Sequence, residues 1–511
     1  MDNEIKHHDI SDAYFYGMTY QSDGRFYGEN NGGASFSTGN TTAQTVGDVV
    51  MLAVDMDAKK MWLGINGSWL SSGNPSTGAN PNWNSSRGFT DGHYYTPAFL
   101  SYSSSGMTAN FGQNPSFSGT TTAGTNADGN GKGLFNYTPP TGFLALCEDN
   151  LPTPAIADPG KHFKTVLYTG SSVSGSEKSR GISGLGFKPD LVWLKSRSII
   201  QNHQLYDSVR GFSGGKGLST DEARVEGDIG GYSDQTYGFV SAANNNGFSV
   251  ASTHATGSWV NNTGVNYCAW CWKAGGAAVS NTDGTITSQV SANQTAGFSI
   301  VSYTGNATSG ATIGHGLSST PKWIIVKERG NTNNWPVYHG STGNTKALYL
   351  DLTNDQGGNF TGAWNNTSPT SSVFSLGNSN ETNRSSGNYI AYCWAEVEGF
   401  SKFGKYIGNG NGSGDGPFVY CGFKPAWLLI KKTNGSGNEN WRLFDSSRCP
   451  TNQNNKHLLP SSNSAESTES GVDLLSNGFK LRDADAHQNQ SSSTYIFMAF
   501  AESPFQTANA K

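Results

Sequence analysis

Two cysteines three residues apart, in Cys268-Ala269-Trp270-Cys271, form the closest thiol pair of this chain, a spacing that can serve redox exchange or zinc. Asp207 and Arg210, within Leu205-Tyr206-Asp207-Ser208-Val209-Arg210-Gly211, could act as a catalytic pair. Gly181-Ile182-Ser183-Gly184-Leu185-Gly186 has the glycine density of a phosphate loop, and Gly408 to Gly416 alternates glycine with Asn, Ser and Asp in the manner of calcium-binding repeats. His7, His8, Asp9, Asp483 and Asp485 are of metal-ligand type. Each signal weakens in context. Residues three apart on a strand point to opposite faces, so the two sulfurs should diverge. A dinucleotide loop must open a helix, whereas this one precedes a strand. The glycine run occurs once, without a period, and reads as a flexible loop. The His and Asp groups are accounted for by polar, exposed ends. The expectation is therefore no catalytic set, no cofactor and no metal.

The elements that must position these residues follow one pattern written three times. It opens on an aromatic-Gly strand: Tyr168-Thr169-Gly170, Tyr303-Thr304-Gly305 and Tyr406-Ile407-Gly408. A proline-led apolar strand ending in lysine follows, from Pro189 to Lys195, Pro321 to Lys327 and Pro425 to Lys431. An aromatic-rich strand closes each copy, from Tyr267 to Trp272, Tyr389 to Trp394 and Tyr495 to Phe500. The period far exceeds that of a solenoid, and each copy is long enough to bury its own core as a separate domain. The pattern also tests the chemistry. Position 268 is matched by Ile390 and Ile496, and position 271 by Cys393 and Ala499, as expected of small buried hydrophobes. Asp207 and Arg210 have counterparts in Asp445 and Arg448, but repeat two carries Val337-Tyr338-His339-Gly340 there and loses both, which favours a pair that braces a turn. Trp193, Trp323 and Trp427 differ in position relative to the proline, which suits core filling better than a sugar platform.

Among 511 residues, 66 are Gly, 12% are aromatic and only 14% are charged. Gly and Asn between short aromatic and β-branched runs suit strands joined by tight turns. The fold class expected is all-β, as tandem β-sandwich (jelly-roll or concanavalin-like) domains. A net charge of −5 offers no basic stripe for nucleic acid. No apolar run is long enough for membrane insertion, and Met1-Asp2-Asn3-Glu4 begins no signal peptide, so an extracellular location would be reached by lysis. The organisation expected is residues 1–150 as one sandwich, a linker at 151–161, repeat one at 162–275, a linker at 276–295, repeat two at 296–398 and repeat three at 399–511.

Residues 1–150 differ from the repeats. Gly47-Asp48 leads a strand to Asp55, Ala58-Lys59-Lys60 turns, and Met61-Trp62-Leu63-Gly64-Ile65 returns before the hairpin signal Asn66-Gly67. Tyr95 to Tyr102 and Met107 to Gly112 read as two more strands, and Tyr137 to Phe143 closes the unit. Asn66-Gly67-Ser68-Trp69, the Ala109 to Gln113 strand and the final Pro-x-Gly-Phe resemble the SPRY domain. Such domains usually begin with further strands ahead of Tyr14-Phe15-Tyr16-Gly17, so either this chain is the distal part of a longer protein or a partner supplies them. The resemblance implies a β-sandwich that binds proteins, or occasionally sugars, through loops at one end. On the Ser71 to Asp91 insertion, Trp83 and Arg87 are the candidate ligand-binding residues, since aromatic and Arg side chains anchor contact surfaces. The alternative is that Trp83 folds back onto its own sandwich.

The repeats, on Gly186 to Lys195, Tyr206 to Gly211 and Tyr267 to Trp272, resemble a domain of unknown function common in virion proteins of marine tailed phages. That resemblance implies a non-enzymatic virion protein, foremost a tail-fibre or appendage subunit exposed on the particle surface after host lysis. Its partners would be other virion proteins and a host-surface receptor, glycan or protein, engaged multivalently. A homo-oligomer, as a fibre a trimer, is expected. The alternatives are a capsid decoration or fibre-shaft protein and, with less to support it, a glycan depolymerase.

Overall fold

The structure, a computed structural model, describes strands at 17–20, 26–29 and 36–38, then residues 47–84, 108–151, 153–171, 179–254, 258–355, 360–435 and 439–505. The chain divides into two compact units, Met1–Pro152 and Thr153–Lys511. In the first, Gly17–Tyr20, Phe26–Glu29 and Phe36–Thr38 form one antiparallel sheet, and Val50–Asp55, Lys60–Ile65 and Ser68–Trp69 form another. The Asn66-Gly67 turn lies between the last two strands, at positive φ on both residues, as its hairpin signal requires. Trp62 is the buried anchor. Its indole donates to Ala79 O at 2.8 Å and its ring meets Phe143 edge-on at 5.8 Å. The expected strand at Tyr95 to Tyr102 lies outside the described residues. Residues 108–112 hold no strand, in contrast to the expectation from sequence. The Asn110 side chain accepts from the amides of Gly112 and Asn114 and so draws the backbone into turns.

The three repeats share one sandwich plan in the second unit. In repeat one the inner sheet runs Gln204–Asp207, Leu191–Ser196, Asn266–Trp272, Phe163–Thr169. Repeat three has the same order in Arg442–Asp445, Phe423–Lys432, Thr494–Pro504, Ser401–Ile407. Repeat two repeats it in Pro336–His339, Pro321–Glu328, Asn388–Ala395, Phe298–Thr304. Every copy therefore flanks its proline-led strand with the aromatic-rich one, and all pairings are antiparallel. A smaller outer sheet covers one face, in repeat one Arg180–Ser183, Gly247–Ala251 and Phe239–Asn244.

The other face of each inner sheet meets the other two repeats. Leu191–Ser196 is buried at every position. Its odd-numbered side chains Leu191 and Trp193 join Trp270 and Trp272 in a core shared with repeats two and three, while Val192 and Leu194 face repeat one's own interior. Repeat two divides the same way, Trp323, Ile325, Tyr392 and Trp394 against Ile324, Val326, Ala391 and Cys393. Strands covered on both faces read as continuous apolar runs, which is why the proline-led segments do not alternate. The expectation of a separate core for each copy is thus corrected: the copies keep an inter-sheet core but are fused through a common one. Its centre is built from one position taken three times. Trp272 lies edge-on to Trp394 at 6.2 Å and to Phe500 at 5.6 Å, and also to Trp427 at 5.7 Å. The tryptophan of the proline-led strand shifts by an even number of residues. Trp193 pairs with Trp270, whereas Trp323 pairs with Trp394 and Trp427 with Phe500. The side chain keeps its face, because strand alternation has period two.

The segment 276–295, expected as a linker, is not one. Within 276–295, Val279–Asn281 and Ser288–Asn293 form strands that extend one edge of repeat two's inner sheet, and with Leu348–Tyr349 on the other edge it has seven. The two compact units divide within 151–161, and just after that division Ile156 is 4% exposed and part of the shared core. Polar composition misled because one alternating face of a short strand suffices to hold it to a sheet.

Candidate functional site

Of the residues that drew attention for chemistry, Cys268, Asp207 and Arg210 lie at the junctions between repeats. Cys268 faces the shared core and Cys271 the interior of repeat one, so the two sulfurs diverge as strand geometry requires. Burial pushes the Cys268 thiol up to about 12, which leaves it a poor nucleophile. Asp207 caps its own turn, accepting from the amides of Val209 and Arg210, and pairs with the Arg210 guanidinium. It also accepts from the Tyr392 hydroxyl of repeat two at 2.7 Å. The copy in repeat three does the same. Asp445 holds Arg448 and accepts from the Trp270 indole of repeat one at 3.0 Å. At the third junction the donor position is Met498, which has nothing to donate, and His339 and Thr342 of repeat two replace Asp and Arg. The gap in the sequence pattern is therefore matched across the junction.

Two ionic clusters seal the same junctions. Arg329 of repeat two reaches Glu226 of repeat one at 2.7 Å, and Glu226 also pairs with Arg210. Arg197 of repeat one grips Glu466 of repeat three through two bonds of 2.9 and 2.8 Å, and Glu466 pairs with Arg448. A further residue, unnoticed in the sequence, links all three junctions. The Trp335 indole donates to Ser219 O at 2.9 Å and the Trp441 indole to Tyr349 O at 2.8 Å. At the matching position His203 takes the Trp193 indole proton on Nδ1, so its Nε2 carries hydrogen and donates to Leu459 O at 3.1 Å. The links run from repeat one to three, three to two and two to one, closing a ring. The signal available was an aromatic or imidazole ring two residues ahead of Leu205, Val337 and Leu443 in every copy.

The lysine that ends each proline-led strand is fully buried. Lys195 donates to Ser196 O and Asn463 O, Lys327 to Asn331 O and Asn333 O, and Lys431 to Thr353 O and Glu439 O. Burial brings Lys431 down to about 7, against which Glu439 and Asp355 favour its charge and Lys432 opposes it. The unfolded chain keeps its proton up to about pH 10.4. Between these values the unfolded state binds more protons, so the Lys431 contribution to stability is least below pH 7 and rises toward pH 10. Lys431→Met should remove that component. The melting temperature of the wild type relative to the variant is expected to rise from pH 7 to pH 10, and a constant difference would refute it.

The loop end of each sandwich lies away from these junctions. The aromatic-Gly motif shapes it. Tyr168 and Tyr267 stack at 5.0 Å, Tyr303 and Tyr389 at 5.0 Å, and Tyr406 and Tyr495 at 5.1 Å. In each pair both hydroxyls donate to a returning loop, at Val260 O and Ser258 O, Thr382 O and Asn380 O, and Gln488 O and Ala486 O. The glycine lets that loop approach: a Cβ at Gly170 would lie 2.0 Å from Asn262 O, and one at Gly305 2.4 Å from Arg384 O.

On this scaffold repeat one carries an aromatic cluster. Tyr232 is 53% exposed and meets Tyr237 at 5.2 Å and Trp259 at 5.4 Å, both edge-on. Tyr237 lies 5.0 Å from Trp259 and stacks on His254 at 4.5 Å. Main-chain bonds from Trp259 to Tyr237 O and from His254 to Thr236 O fix the rings to the short helix Asp234–Tyr237. That helix is tied down by Asp234, which accepts from the amides of Gly215 and Gly217 and from the Tyr206 hydroxyl. Beside the rings, Arg224 pairs with Glu222 and Asp228 while remaining partly exposed. Rigid aromatic faces next to a partly exposed guanidinium and carboxylates are the chemistry of a contact surface.

The sequence pointed elsewhere. Trp83 is 1% exposed and bonds through its backbone to Met61, so it belongs to the interior of the first unit. Arg87, like His7, His8 and Asp9, lies outside the described residues. Asp485 pairs with His487 in its own loop and with Arg442 on the inner-sheet strand of the same repeat, and Asp483 accepts from Gln488, so both brace repeat three. The signal for the cluster was Tyr232, Tyr237, His254 and Trp259 falling outside the threefold pattern.

A family model described as "Domain of unknown function (DUF7483)" matches residues 158–504. No curated protein and no solved structure matches the chain.

Proposed function

This chain belongs to the DUF7483 family, and on that premise we propose that it is a non-catalytic attachment protein of a tailed-phage particle. The aromatic surface of repeat one is the part that touches the host. The observation that carries this reading is the exposed Tyr232 ring, held by Tyr237 and Trp259 on a tip that two tyrosine anchors make rigid. A preorganised ring loses little freedom on contact, so its buried area converts into affinity. The virion setting rests on the resemblance of the repeats. The described tips of repeats two and three carry no matching cluster, so multivalency would come from copies of the subunit and from other virion proteins beside it. Labelled protein is expected to adsorb to cells of at least one strain in a bacterial panel. Tyr232→Ala should weaken that adsorption about ten-fold, the loss of one aromatic anchor. Adsorption to no strain, or an unaffected variant, would overturn the proposal.

The closed ring of indole and imidazole bonds, with ion pairs at two of its junctions, favours a second reading, a particle-stabilising decoration or shaft protein, because a closed rigid body suits load-bearing. Imaging of intact particles separates the two. A decoration follows the shell, whereas an appendage projects from the tail.

A further inference from the structure

Repeat two has a groove of about 580 Å³ on the face opened by the segment expected to be a linker, within the range of roughly 300–1,000 Å³ usual for small-molecule sites. Its floor is small and apolar, with Val290 and Ala292 from the second of the two added strands and the exposed Val279 of the first at its edge. Its rim is hydroxyl, amide and carboxylate, including Asp283, Gln294 and Ser371. No Lys or Arg lines it, so an anionic ligand would find no counter-charge there.

We propose that this groove is a saccharide subsite that takes one neutral sugar ring, resting on the attachment reading but at a site separate from the aromatic tip. The two-sided lining matches a pyranose, which presents C–H groups on one face and hydroxyls around its edge. The Gln294 amide nitrogen donates to Gly316 O and to Ser318 Oγ at 3.0 and 2.9 Å, which fixes the amide and leaves its oxygen as the group with capacity for a sugar hydroxyl. Asp283 receives the Asn281 amide on Oδ2 at 2.9 Å, which orients the carboxylate and leaves lone pairs for a second hydroxyl. A carboxylate accepting from hydroxyls gives the stronger, charge-assisted bond. The apolar floor then covers the ring face that water would otherwise wet.

Saturation-transfer NMR of the full chain with neutral hexoses and N-acetylhexosamines at millimolar concentration tests the assignment, with glucuronate and a quaternary amine as comparators. Asp283 and Gln294 are both exposed, so Asp283→Ala and Gln294→Ala should leave the fold intact. At least one neutral sugar is expected to bind, and each variant should weaken it about ten-fold. Absence of any neutral-sugar signal, binding confined to the acid or the amine, or binding that both variants leave unchanged would each overturn the proposal. Tyr232→Ala should leave this signal intact, so failure of the groove and failure of the aromatic tip read out separately.

Discussion

Asp445→Ala is expected to destabilise the second unit by about 3–5 kcal/mol, the cost of leaving one member of a buried ion pair without its partner. Both Asp445 and Arg448 have fully buried side chains. The carboxylate serves three donors at once: the Arg448 Nε and backbone amide within its own turn, and the Trp270 indole of another repeat. Removing it leaves a fully buried guanidinium with Glu466 as its remaining counter-ion. It also orphans the indole proton of Trp270, whose ring has Arg448 lying over it at 5.9 Å. Denaturant melts of the wild type and variant measure the loss. Trp270→Phe, which removes the indole donor and keeps the charges paired, should cost less than Asp445→Ala. An Asp445→Ala chain within about 1 kcal/mol of wild type would show that the network adds no more than an ordinary hydrogen bond.

Trp272→Ala should cost a similar ~3–5 kcal/mol, as expected for truncating a large buried aromatic, and the form of the loss is as telling as its size. Trp272 stands where the equivalent positions of the three repeats meet, and it contacts Phe163 of its own repeat at 4.8 Å. A cavity there removes partners from all three repeats together. Scanning calorimetry should show one transition for residues 153–511, shifted as a whole. If the repeats melted in separate steps and only one of them moved, the shared core would not be the source of cooperativity.

The strand content and the three-copy plan were legible because local chemistry determines them. Tyr-x-Gly, the proline-led run and the aromatic-rich run each map onto a strand in all three copies. The turn at Asn66-Gly67 was equally visible, since it depends on two adjacent residues that tolerate positive φ. The braced turn at Asp207 and Arg210 was read correctly as far as it is local. Its second role, accepting the Tyr392 hydroxyl, involves a residue 185 positions away and leaves no mark nearby. For Trp83 the alternative of folding back onto its own sandwich is the one its burial matches, and the segment 276–295 misled for a related reason: an aromatic in a polar loop and a polar run between strands look the same from composition whether they end up buried or exposed.

By itself the sequence determined an all-β chain, a repeated sandwich and the residues that build each sheet, because strand periodicity and turn chemistry act over a few neighbours. Tertiary structure alone decided that the three sandwiches close into one ring around Trp272, Trp394 and Phe500, that their polar residues lock that ring, and that an aromatic tip and a small groove are left facing water. A strand buried on one face and a strand buried on both can carry the same apolar side chains, and only packing between distant segments tells them apart.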